Sequence, residues 1–539
     1  MDEHSCRFEA LALVLACGMS CEPPGPNCRE GAAADGTYTL QVGDLCLQEI
    51  GVRVRRGGTW EQVAAVAALE PQPVDDIGRL LQVAVEEPAE AIEIAFPGLP
   101  ADRLLQQGYQ SWSFAGAVKI PRHVELHEDG APRMREAATG ETLDAEYAIS
   151  YYAAALQEGA GGPALVFGSL AAERAVTGFA AVAEEPGARL IALYGPTREA
   201  LPSDADGKVR SEPLLVLSAG QAGDGLQRLG QEMQRAPAAG ARQPRRPPGG
   251  WFSWNEHRAE IDEAMILAHV DEVAEQLLPH QLPLLEIDDG WERSWGDWQA
   301  NDRFPRGMAA VAGDIAAAGL IAGIWLAPFL VDEQAPAASL DDRLFVRAVD
   351  GSRLQYRKFG DATVYYVLDG SDPDAMALVA GVLRDLARAG FAFFKLDYLF
   401  AGALPGVRNQ PVTGVQALRQ GLLAMREAVG PDAVINACGA PLLPVVGIAD
   451  SLRIGADTFI NDLSWQFIAF AARDLAARTY LAPVIWPDAD QVQLRPPYSV
   501  EEAGVGALIA ALAGPAYSIG DDLSLLAPER LAIGLEPTV

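Results

Sequence analysis

The ten residues Phe391–Phe400 (FAFFKLDYLF) determine the fold prediction for this chain. They follow Gly390 and are mostly apolar, as expected for a buried strand of a parallel sheet. Lys395 and Asp397 interrupt the apolar run, and because side chains alternate along a strand they lie on the same face. A buried charge is costly unless it is paired or used. This face is therefore expected to line a functional site, or else to hold a structural Lys–Asp pair in a barrel core.

Composition excludes several classes of function. The chain has 539 residues, enough for two or three domains, half of them are hydrophobic, and no apolar run is long enough to span a bilayer. Its formal net charge of -32 disfavours nucleic acid and anionic membrane surfaces as partners. None of the six His residues follows His280, which excludes a Ser-His-Asp triad and disfavours a multi-His metal site in the second half.

The first residues resemble a bacterial lipoprotein signal. An apolar run ends in Val14-Leu-Ala-Cys17, which would place a lipid anchor on Cys17, although Asp2 and Glu3 stand where positive charge is usual. Residues 1–36 are therefore interpreted as a signal and tether, and the protein as an exported, membrane-anchored lipoprotein. A mis-assigned start, with a cytoplasmic protein, and a short buried helix are the alternatives.

Residues 37–236 are predicted to form an antiparallel β-sandwich domain. Short strand-like runs such as TYTLQVG, ALVFGSL, RLIALYG and LLVLSAG recur between turn-forming residues. The segment Gln107–Ser113 (QGYQSWS) lies within this region, either as a packed corner or as a loop that contacts a ligand.

Residues 237–248 form a Pro/Gly/Arg-rich linker, after which the pattern changes to alternating strands and helices. We predict helices at Ile261–Leu278, Asp374–Ala389, Val415–Val429 and Ser464–Arg478. Residues 249–539 are thus predicted to form a catalytic (β/α)8 TIM barrel. Its eight predicted strands are GGWFSW, LPLLEID, IAGIWLAP, FAFFKLD, AVINACG, SLRIGAD, LAPVIWPD and PAYSIGD.

Polar and aromatic residues follow the predicted strands, at the barrel end that carries the chemistry. Carboxylates and indole rings with few His and no Gly-rich phosphate loop are typical of a carbohydrate pocket. The residues are Trp254, Asn255, Asp288, Asp289, Trp325, Lys395, Asp397, Cys438, Gly439, Arg453, Asp457 and Trp486.

Glycosidic cleavage needs a carboxylate on one side of the anomeric carbon and a proton donor on the other. Asp397 suits the nucleophile, since Lys395 nearby would stabilise its charge. Asp457 suits the acid/base, or else simply caps a helix. The adjacent acids Asp288 and Asp289 could hold a metal, cap a helix or accept hydrogen bonds from sugar hydroxyls, and we favour the hydroxyls. Cys438 is interpreted as a pocket-lining residue, not a nucleophile.

Motifs in this order resemble glycoside hydrolase family 36 of clan D, the retaining α-galactosidases or melibiases, in their compact bacterial and archaeal branch. The resemblance covers Gln107–Ser113 and nearly everything from Gly249 to Pro528. The motifs are GYQSWS, WFSWNE, IDDGW, SWGDW, GIWLAP, FFKLDYLFAGALPG, ACGAPLLPVVG and LRIGADT.

The resemblance implies roles for individual residues. Asp397 matches the nucleophile and Asp457 the general acid/base of a double displacement with retention, without cofactor or metal. The remaining residues match substrate-binding positions: the hydroxyl-binding Lys395 and Arg453, the acids Asp288 and Asp289 that recognise the 4-OH and 6-OH, the pocket walls Trp254 and Trp325, Cys438 and Gly439 beside the 2-OH, and Trp112 lent by the sandwich.

The implied function is an exported α-galactosidase that cleaves terminal α-galactosyl residues from oligosaccharides. Alternatives are an α-N-acetylgalactosaminidase, against which Cys438 argues, a transglycosylase of the same clan, and a non-catalytic sugar-binding lipoprotein. Relatives continue into a small C-terminal β-domain, which is expected to be missing from this chain.

Overall fold

The computed structural model describes residues 28–65, 69–124, 149–159, 161–236, 242–358, 362–458 and 464–538. The predicted lipobox with Cys17 lies outside these residues. Cys28 forms a disulfide with Cys46, which ties the beginning of the described chain to the strand Leu45–Arg56. In the described part of the chain, no helix has both the length and the apolar character needed to cross a membrane.

Two antiparallel sheets of eight strands each form the N-terminal part. The first has the order β1-β2-β3-β7-β14-β13-β10 with β4 beside β3, and the second has the order β15-β6-β16-β12-β11-β8-β9 with β5 beside β6. The strands are β1 (Gly31–Ala32), β2 (Tyr38–Val42), β3 (Leu45–Arg56), β4 (Thr59–Val63), β5 (Leu69–Pro73), β6 (Gly78–Glu86), β7 (Ala91–Leu99), β8 (Arg103–Gln106), β9 (Gly116–Lys119), β10 (Ile149–Tyr151), β11 (Ala153–Gln157), β12 (Ala164–Ser169), β13 (Thr177–Ala183), β14 (Ala188–Tyr194), β15 (Lys208–Arg210) and β16 (Leu214–Ala219).

The two sheets pack face to face around an apolar core. Ile50, Val52 and Val54 alternate with more exposed residues along β3, so that one face of this strand is buried. Phe96 from the first sheet contacts Phe167 from the second, with ring centroids 4.9 Å apart. The predicted antiparallel sandwich is confirmed.

The second half of the chain contains a curled sheet of eight parallel strands in the order β28-β27-β26-β25-β21-β18-β17-β29. Val492, just after β28, closes the ring, since its N–H donates to Ser518 O at 2.7 Å and its carbonyl accepts from Gly520 N at 3.0 Å. These strands match the eight predicted from sequence, and the (β/α)8 barrel is confirmed. They are β17 (Gly250–Phe252), β18 (Leu284–Ile287), β21 (Ile321–Leu326), β25 (Phe391–Leu396), β26 (Val434–Ala437), β27 (Ser451–Arg453), β28 (Trp486–Asp488) and β29 (Ser518–Ile519).

Five short strands lie in loops at the barrel. They are β19 (Glu292–Ser294), paired with β20 (Asp297–Ala300), and a three-stranded group of β22 (Leu330–Asp332), β23 (Gln355–Tyr356) and β24 (Tyr365–Val367).

The helices largely follow the predicted boundaries. Observed helices at Pro373–Ala389, Gly414–Val429 and Ser464–Arg478 match predictions to within one residue, and the predicted Ile261–Leu278 is a helix at Glu263–Glu272 followed by a π-helical turn. The remaining α-helices of the described residues are Ala222–Arg235, Trp254–His257, Met308–Ala317, Val500–Ala513 and Pro528–Leu535.

The barrel interior is apolar in one layer and charged in the next. Phe252, Leu284, Phe393 and Val434 form a separate buried cluster. Two positions further along β25, the inward-facing side chain is that of Lys395, as the period of two requires. The charged layer therefore lies between an apolar floor and the carboxyl ends of the strands.

One buried arginine attaches the sandwich loop Gln107–Ser113 to the barrel. Arg478 is fully buried at the end of its helix and donates to Ser111 O at 2.7 Å, Ser113 O at 2.6 Å and Ile454 O at 2.6 Å. Burial is the main cause that lowers its pKa. A single side chain thus holds both the sandwich loop and the segment after β27 in place.

Candidate active site

Asp397 lies directly after β25, and both of its carboxylate oxygens accept hydrogen bonds. The indole N–H of Trp325 donates to Oδ2 at 3.1 Å, and the backbone N–H of Tyr398 donates to Oδ1 at 2.7 Å. Tyr398 has a φ of 52°, a region that non-glycine residues rarely occupy. The strained turn allows this backbone N–H to fold back onto the carboxylate, so that Asp397 has one defined orientation.

Lys395 pairs with Asp288 instead of Asp397. Its Nζ lies 2.6 Å from Asp288 Oδ2, and both side chains are almost completely buried. The alternative of a structural ion pair between Lys395 and Asp397 is therefore not what the structure shows, since the hydrogen bonds to Asp397 come from the Trp325 indole and the Tyr398 backbone. Lys395 still contributes to the field around Asp397, because the Asp397 charge is one of the causes that raise the pKa of Lys395.

A second carboxyl group lies beside this ion pair. Glu286 is fully buried two positions before Asp288, and neither of its oxygens accepts a hydrogen bond from a donor in the described structure. Burial, and next the Asp288 charge, raise the pKa of Glu286 well above its usual value. One ammonium group facing two carboxyls neutralises only one of them, so the proton remains on Glu286 and Lys395 pairs with Asp288.

Asp289 has an equivalent neighbour. The indole N–H of Trp295 donates to Asp289 Oδ1 at 3.0 Å, and buried Glu292 lies beside Asp289. Burial, followed by the Asp289 charge, raises the pKa of Glu292 well above its usual value. Each acid of the Asp288-Asp289 pair is thus accompanied by a buried glutamic acid whose pKa is raised.

Asp457 is held at the opposite side by Arg453. The Arg453 guanidinium lies 3.0 Å from Asp457 Oδ1 and 3.0 Å from Asp490 Oδ1. Arg453 and Asp490 are buried, whereas the Asp457 side chain is 33% exposed. Asp490 also accepts from the backbone N–H of Thr458 at 2.7 Å, so it fixes both the arginine and the segment that carries Asp457. Asp457 is therefore more accessible than either Asp490 or Asp397.

Cys438 lies beside Arg453, the partner of Asp457, and Gly439 lies beside Asp397. Burial is the main cause that raises the pKa of the Cys438 thiol well above its usual range, and Asp397 adds to the rise, so the thiol stays protonated. Its Sγ lies 3.5 Å from Arg453 Nη1. A Cβ on Gly439 would come within 3.1 Å of Asp397 Oδ1 and 3.0 Å of the Trp112 ring.

Aromatic rings surround the strand ends. Trp112, from the sandwich loop, contacts Tyr398 at 5.2 Å between ring centroids, and its indole N–H is buried without a partner in the described structure. Trp254 is half-buried, and Lys358 Nζ lies 5.8 Å from the Trp254 ring and 5.4 Å from the Trp295 ring. Trp325, predicted as a wall, is almost fully buried and reaches the site through its N–H.

A chain of contacts connects Asp397 and Asp457: Arg453 lies 3.0 Å from Asp457 Oδ1 and 3.5 Å from Cys438 Sγ, and a Cβ on the next residue, Gly439, would lie 3.1 Å from Asp397 Oδ1. Burial is the first cause that raises the Tyr398 pKa well above normal, and the charges of Asp397, Asp457 and Asp289 all add to it. Asp397 and Asp457 both act on the Cys438 thiol in the same way. The residues predicted from β18, β25, β26 and β27 are therefore brought together.

Sequence reasoning missed Glu286, Glu292, Asp490, Tyr398 and Lys358. Glu286 was predictable from the sequence, because it is a charged residue in an apolar strand and lies two residues before Asp288, on the same face of the strand. Lys395 has the same relation to Asp397 in its own strand. Asp490 lies beyond the strand end, and nothing in the local sequence indicates that it faces Arg453.

A (β/α)8 barrel with two acids facing one polar, aromatic-walled region at the carboxyl ends of its strands has the architecture of a glycoside hydrolase. No protein-family model matches the sequence. Solved structures do: the chain is similar to TtGalA, an α-galactosidase from Thermus thermophilus in complex with p-nitrophenyl α-D-galactopyranoside, at 25% identity and a TM-score of 0.69, over 93% of this chain and 94% of that one. TtGalA in complex with stachyose matches at 26% identity and a TM-score of 0.65, over 90% of this chain and 99% of that one.

The family 36 α-galactosidase AgaA from Geobacillus stearothermophilus shares the fold, with 14% identity and a TM-score of 0.61 over 95% of this chain and 71% of that one. The predicted resemblance to α-galactosidases is confirmed by TtGalA, which supports a glycoside hydrolase as the enzyme class, and AgaA shows that the fold is shared with family 36.

The protonated state of Glu286 predicts a pH-dependent stability. The folded protein keeps this proton above the usual glutamic acid value of 4.5, whereas the unfolded chain releases it. The folded state then binds more protons, so the free energy of unfolding falls as pH rises from about 4.5 towards the raised value. Glu286→Gln cannot ionise, and we expect it to be more stable than the wild type by about 1–3 kcal/mol at pH 8.

Urea unfolding at several pH values measures this difference, which should shrink towards pH 4.5. Glu427→Gln removes an exposed carboxyl instead and serves as the control, with no such trend expected. A Glu286→Gln variant that is less stable than the wild type at pH 8 would contradict the prediction.

Proposed function

We propose that this protein is a retaining α-galactosidase that hydrolyses terminal, non-reducing α-D-galactosyl residues of oligosaccharides. The observation that carries the proposal is that contacts through Arg453, Cys438 and Gly439 connect Asp457 to Asp397 at the carboxyl ends of neighbouring barrel strands. The complexes of TtGalA with stachyose and with the p-nitrophenyl galactoside support this substrate class.

In the first step a carboxylate oxygen of Asp397 attacks C1 of the galactosyl unit. The bond from C1 to the glycosidic oxygen breaks, and the leaving oxygen takes the proton of Asp457. In the second step Asp457 accepts a proton from water, the water oxygen bonds to C1, and the ester to Asp397 breaks. Retention follows from the two successive inversions, and we expect the two carboxyl groups to lie roughly 5–5.5 Å apart.

The remaining residues bind the sugar. Asp288 and Asp289 accept hydrogen bonds from hydroxyls, in the roles of the 4-OH and 6-OH acceptors, because the Lys395 ammonium and the Trp295 indole N–H hold their carboxyl groups in defined orientations. Trp112 offers a buried, unpartnered N–H to a hydroxyl. Lys395 and Arg453 lie within the same charged layer, and the half-buried Trp254 offers an indole face to the sugar ring.

Cys438 and Gly439 support galactose over its 2-N-acetyl analogue. The Cys438 thiol packs against Arg453, and the backbone of Gly439 packs closely against Asp397 and Trp112. An acetamido group on C2 of the sugar would need space that these two residues fill. An α-N-acetylgalactosaminidase and a transglycosylase use the same pair of acids, so substrate and product analysis separates them from the hydrolase.

The nucleophile is tested with Asp397→Ala. Turnover of p-nitrophenyl α-D-galactopyranoside should fall by about 10³-fold or more, since the covalent route is lost. Azide should restore p-nitrophenol release and yield β-galactosyl azide, because azide attacks C1 from the face that Asp397 occupies. Asp385→Ala, which removes an exposed carboxylate on a helix, should leave turnover unchanged.

Wild-type protein that is folded but inactive on the galactoside would favour the sugar-binding alternative. Preference for the N-acetyl analogue would favour the α-N-acetylgalactosaminidase.

Gly439 provides a test of site geometry. In Gly439→Ala the new methyl meets both Asp397 and Trp112, and we expect kcat/KM to fall by about 10- to 100-fold. Gly57→Ala is a matched control, because Gly57 has the same φ of 52° but no atom within 4 Å of the added Cβ. Both variants should lose about 1 kcal/mol of stability from backbone strain. Equal activity in the two variants would mean that Gly439 does not touch the reacting region.

We also propose that the protein is exported and anchored through Cys17. The Cys28–Cys46 disulfide supports this, because such bonds persist in oxidising compartments. Expression of the full chain in a bacterial host, followed by fractionation and thiol labelling, should find it in the membrane fraction with this pair oxidised. Recovery in the cytosol with both thiols free would refute export.

A further inference from the structure

Two histidines and one aspartate meet away from the acids of the sugar site. Suitable ligand atoms of His257, His269 and Asp522 all lie within 4.8 Å of one another, and His269 Nε2 is 3.6 Å from Asp522 Oδ1. His257 ends the short helix after β17, His269 lies on the helix Glu263–Glu272, and Asp522 follows β29. The cluster therefore joins the loops of two neighbouring barrel strands.

The hydrogen bonds assign the tautomer of His269. Its Nδ1 lies 3.0 Å from the carbonyl oxygen of Met265, and because a carbonyl only accepts, Nδ1 carries the hydrogen. In the neutral ring Nε2 then presents a lone pair to the cluster. A backbone carbonyl that orients one ring nitrogen while the other faces a ligand is the usual arrangement of metal-binding histidines.

Both Nε2 atoms are buried and lack a hydrogen-bond partner in the described structure. Buried polar atoms are nearly always satisfied, so two orphaned imidazole nitrogens in one cluster require an explanation. An ion pair between His269 and Asp522 does not supply one, since 3.6 Å exceeds a hydrogen-bond distance and His257 would stay unsatisfied.

The cluster is also held in place by its surroundings. Trp251 stacks on the His269 ring at 4.1 Å between centroids, with an interplanar angle of 20°. Trp251 Nε1 in turn donates to Asp521 O at 2.8 Å, directly beside Asp522. The Asp522 carboxylate accepts from Ser524 N at 2.9 Å and from Ser524 Oγ at 2.6 Å, which orients it as well.

We propose that His257, His269 and Asp522 bind one divalent transition-metal ion of the zinc type. Two imidazole nitrogens and one carboxylate oxygen are ligands that Zn²⁺ accepts, with water in a fourth, tetrahedral position. Mg²⁺ and Ca²⁺ require more oxygen ligands than this cluster offers. This site was not predicted from the sequence, because the sequence analysis led us to expect a protein without a bound metal.

The ion acts as a structural link, and its position connects it to the pocket wall. His257 belongs to the same four-residue helix as Trp254, and Arg258 lies 5.2 Å above the Trp254 ring. Metal binding would therefore attach the short helix that contains Trp254 to the loop after β29. Because the link is structural, it is tested without reference to sugar hydrolysis.

The experiment compares four full-length proteins after chelator treatment: wild type, His257→Gln, Asp522→Asn and His280→Gln. His280 is an exposed histidine and serves as the control. Zn²⁺ is added in equilibrium dialysis with elemental analysis, so that metal held elsewhere on the chain is common to all four. We expect wild type and His280→Gln to bind one equivalent more than the other two and to gain thermal stability with Zn²⁺, whereas Ca²⁺ gives neither effect.

Co²⁺ substitution gives a second measurement, since wild type should show the visible bands of tetrahedral cobalt and Asp522→Asn should lose them. Circular dichroism establishes that each variant is folded, and Asp522→Asn decides the matter if His257→Gln does not fold. Equal Zn²⁺ uptake by wild type and folded Asp522→Asn would overturn the proposal, as would the absence of stabilisation by Zn²⁺ in the wild type.

Discussion

The ion pair between Lys395 and Asp288 is the interaction on which the site depends. Lys395 Nζ, on β25, lies 2.6 Å from Asp288 Oδ2, at the end of β18, and both side chains are almost completely buried. The neighbouring layer of the barrel interior is apolar. Removing either partner would leave an unpaired buried charge, a defect that costs on the order of 3–5 kcal/mol. Neither partner can therefore be replaced alone by an apolar residue without this cost. Because Lys395 pairs with Asp288, burial and the Asp288 charge raise the pKa of Glu286.

The two proposed catalytic acids are held by different means. Asp397 is oriented by N–H donors from an indole and from a strained backbone turn, neither of which carries a charge. Asp457 is held by Arg453, which shares its charge with buried Asp490. A buried, fixed carboxylate is suited to attack, and a more accessible one is suited to exchange a proton with the leaving group and with water.

Arg478 is one of several contacts through which the sandwich takes part in the site, beside the backbone hydrogen bonds between Ser111 and Ala440 and between Tyr109 and Leu442. Arg478 satisfies backbone carbonyls of the loop Gln107–Ser113 and of the segment after β27 at the same time. The loop thereby brings Trp112 against Tyr398 and Gly439. Of the two interpretations of this loop from the sequence, the packed corner describes its contacts with the barrel, and contact with a ligand stays a prediction that the position of Trp112 beside Tyr398 and Gly439 supports.

Much of the architecture was predictable from local patterns. The alternating runs of the sandwich, the eight apolar strands and the helix Ser464–Arg478 follow from residue periodicity, which short-range physics controls. The same periodicity put Lys395 and Asp397 on one face of a buried strand. Applied to the strand before Asp288, it would also have found Glu286.

The choice of partners was decided only by the tertiary structure. Lys395 is two residues from Asp397 in sequence, yet it pairs with Asp288 on another strand, and Asp490 reaches Arg453 from a segment that local sequence does not place. His257, His269 and Asp522 meet because the first and last strands of the ring are neighbours. The sequence by itself determined which side chains face inward, because that depends on backbone period alone. Which charges meet depends on strand register and ring closure, and these are set by packing across the whole barrel.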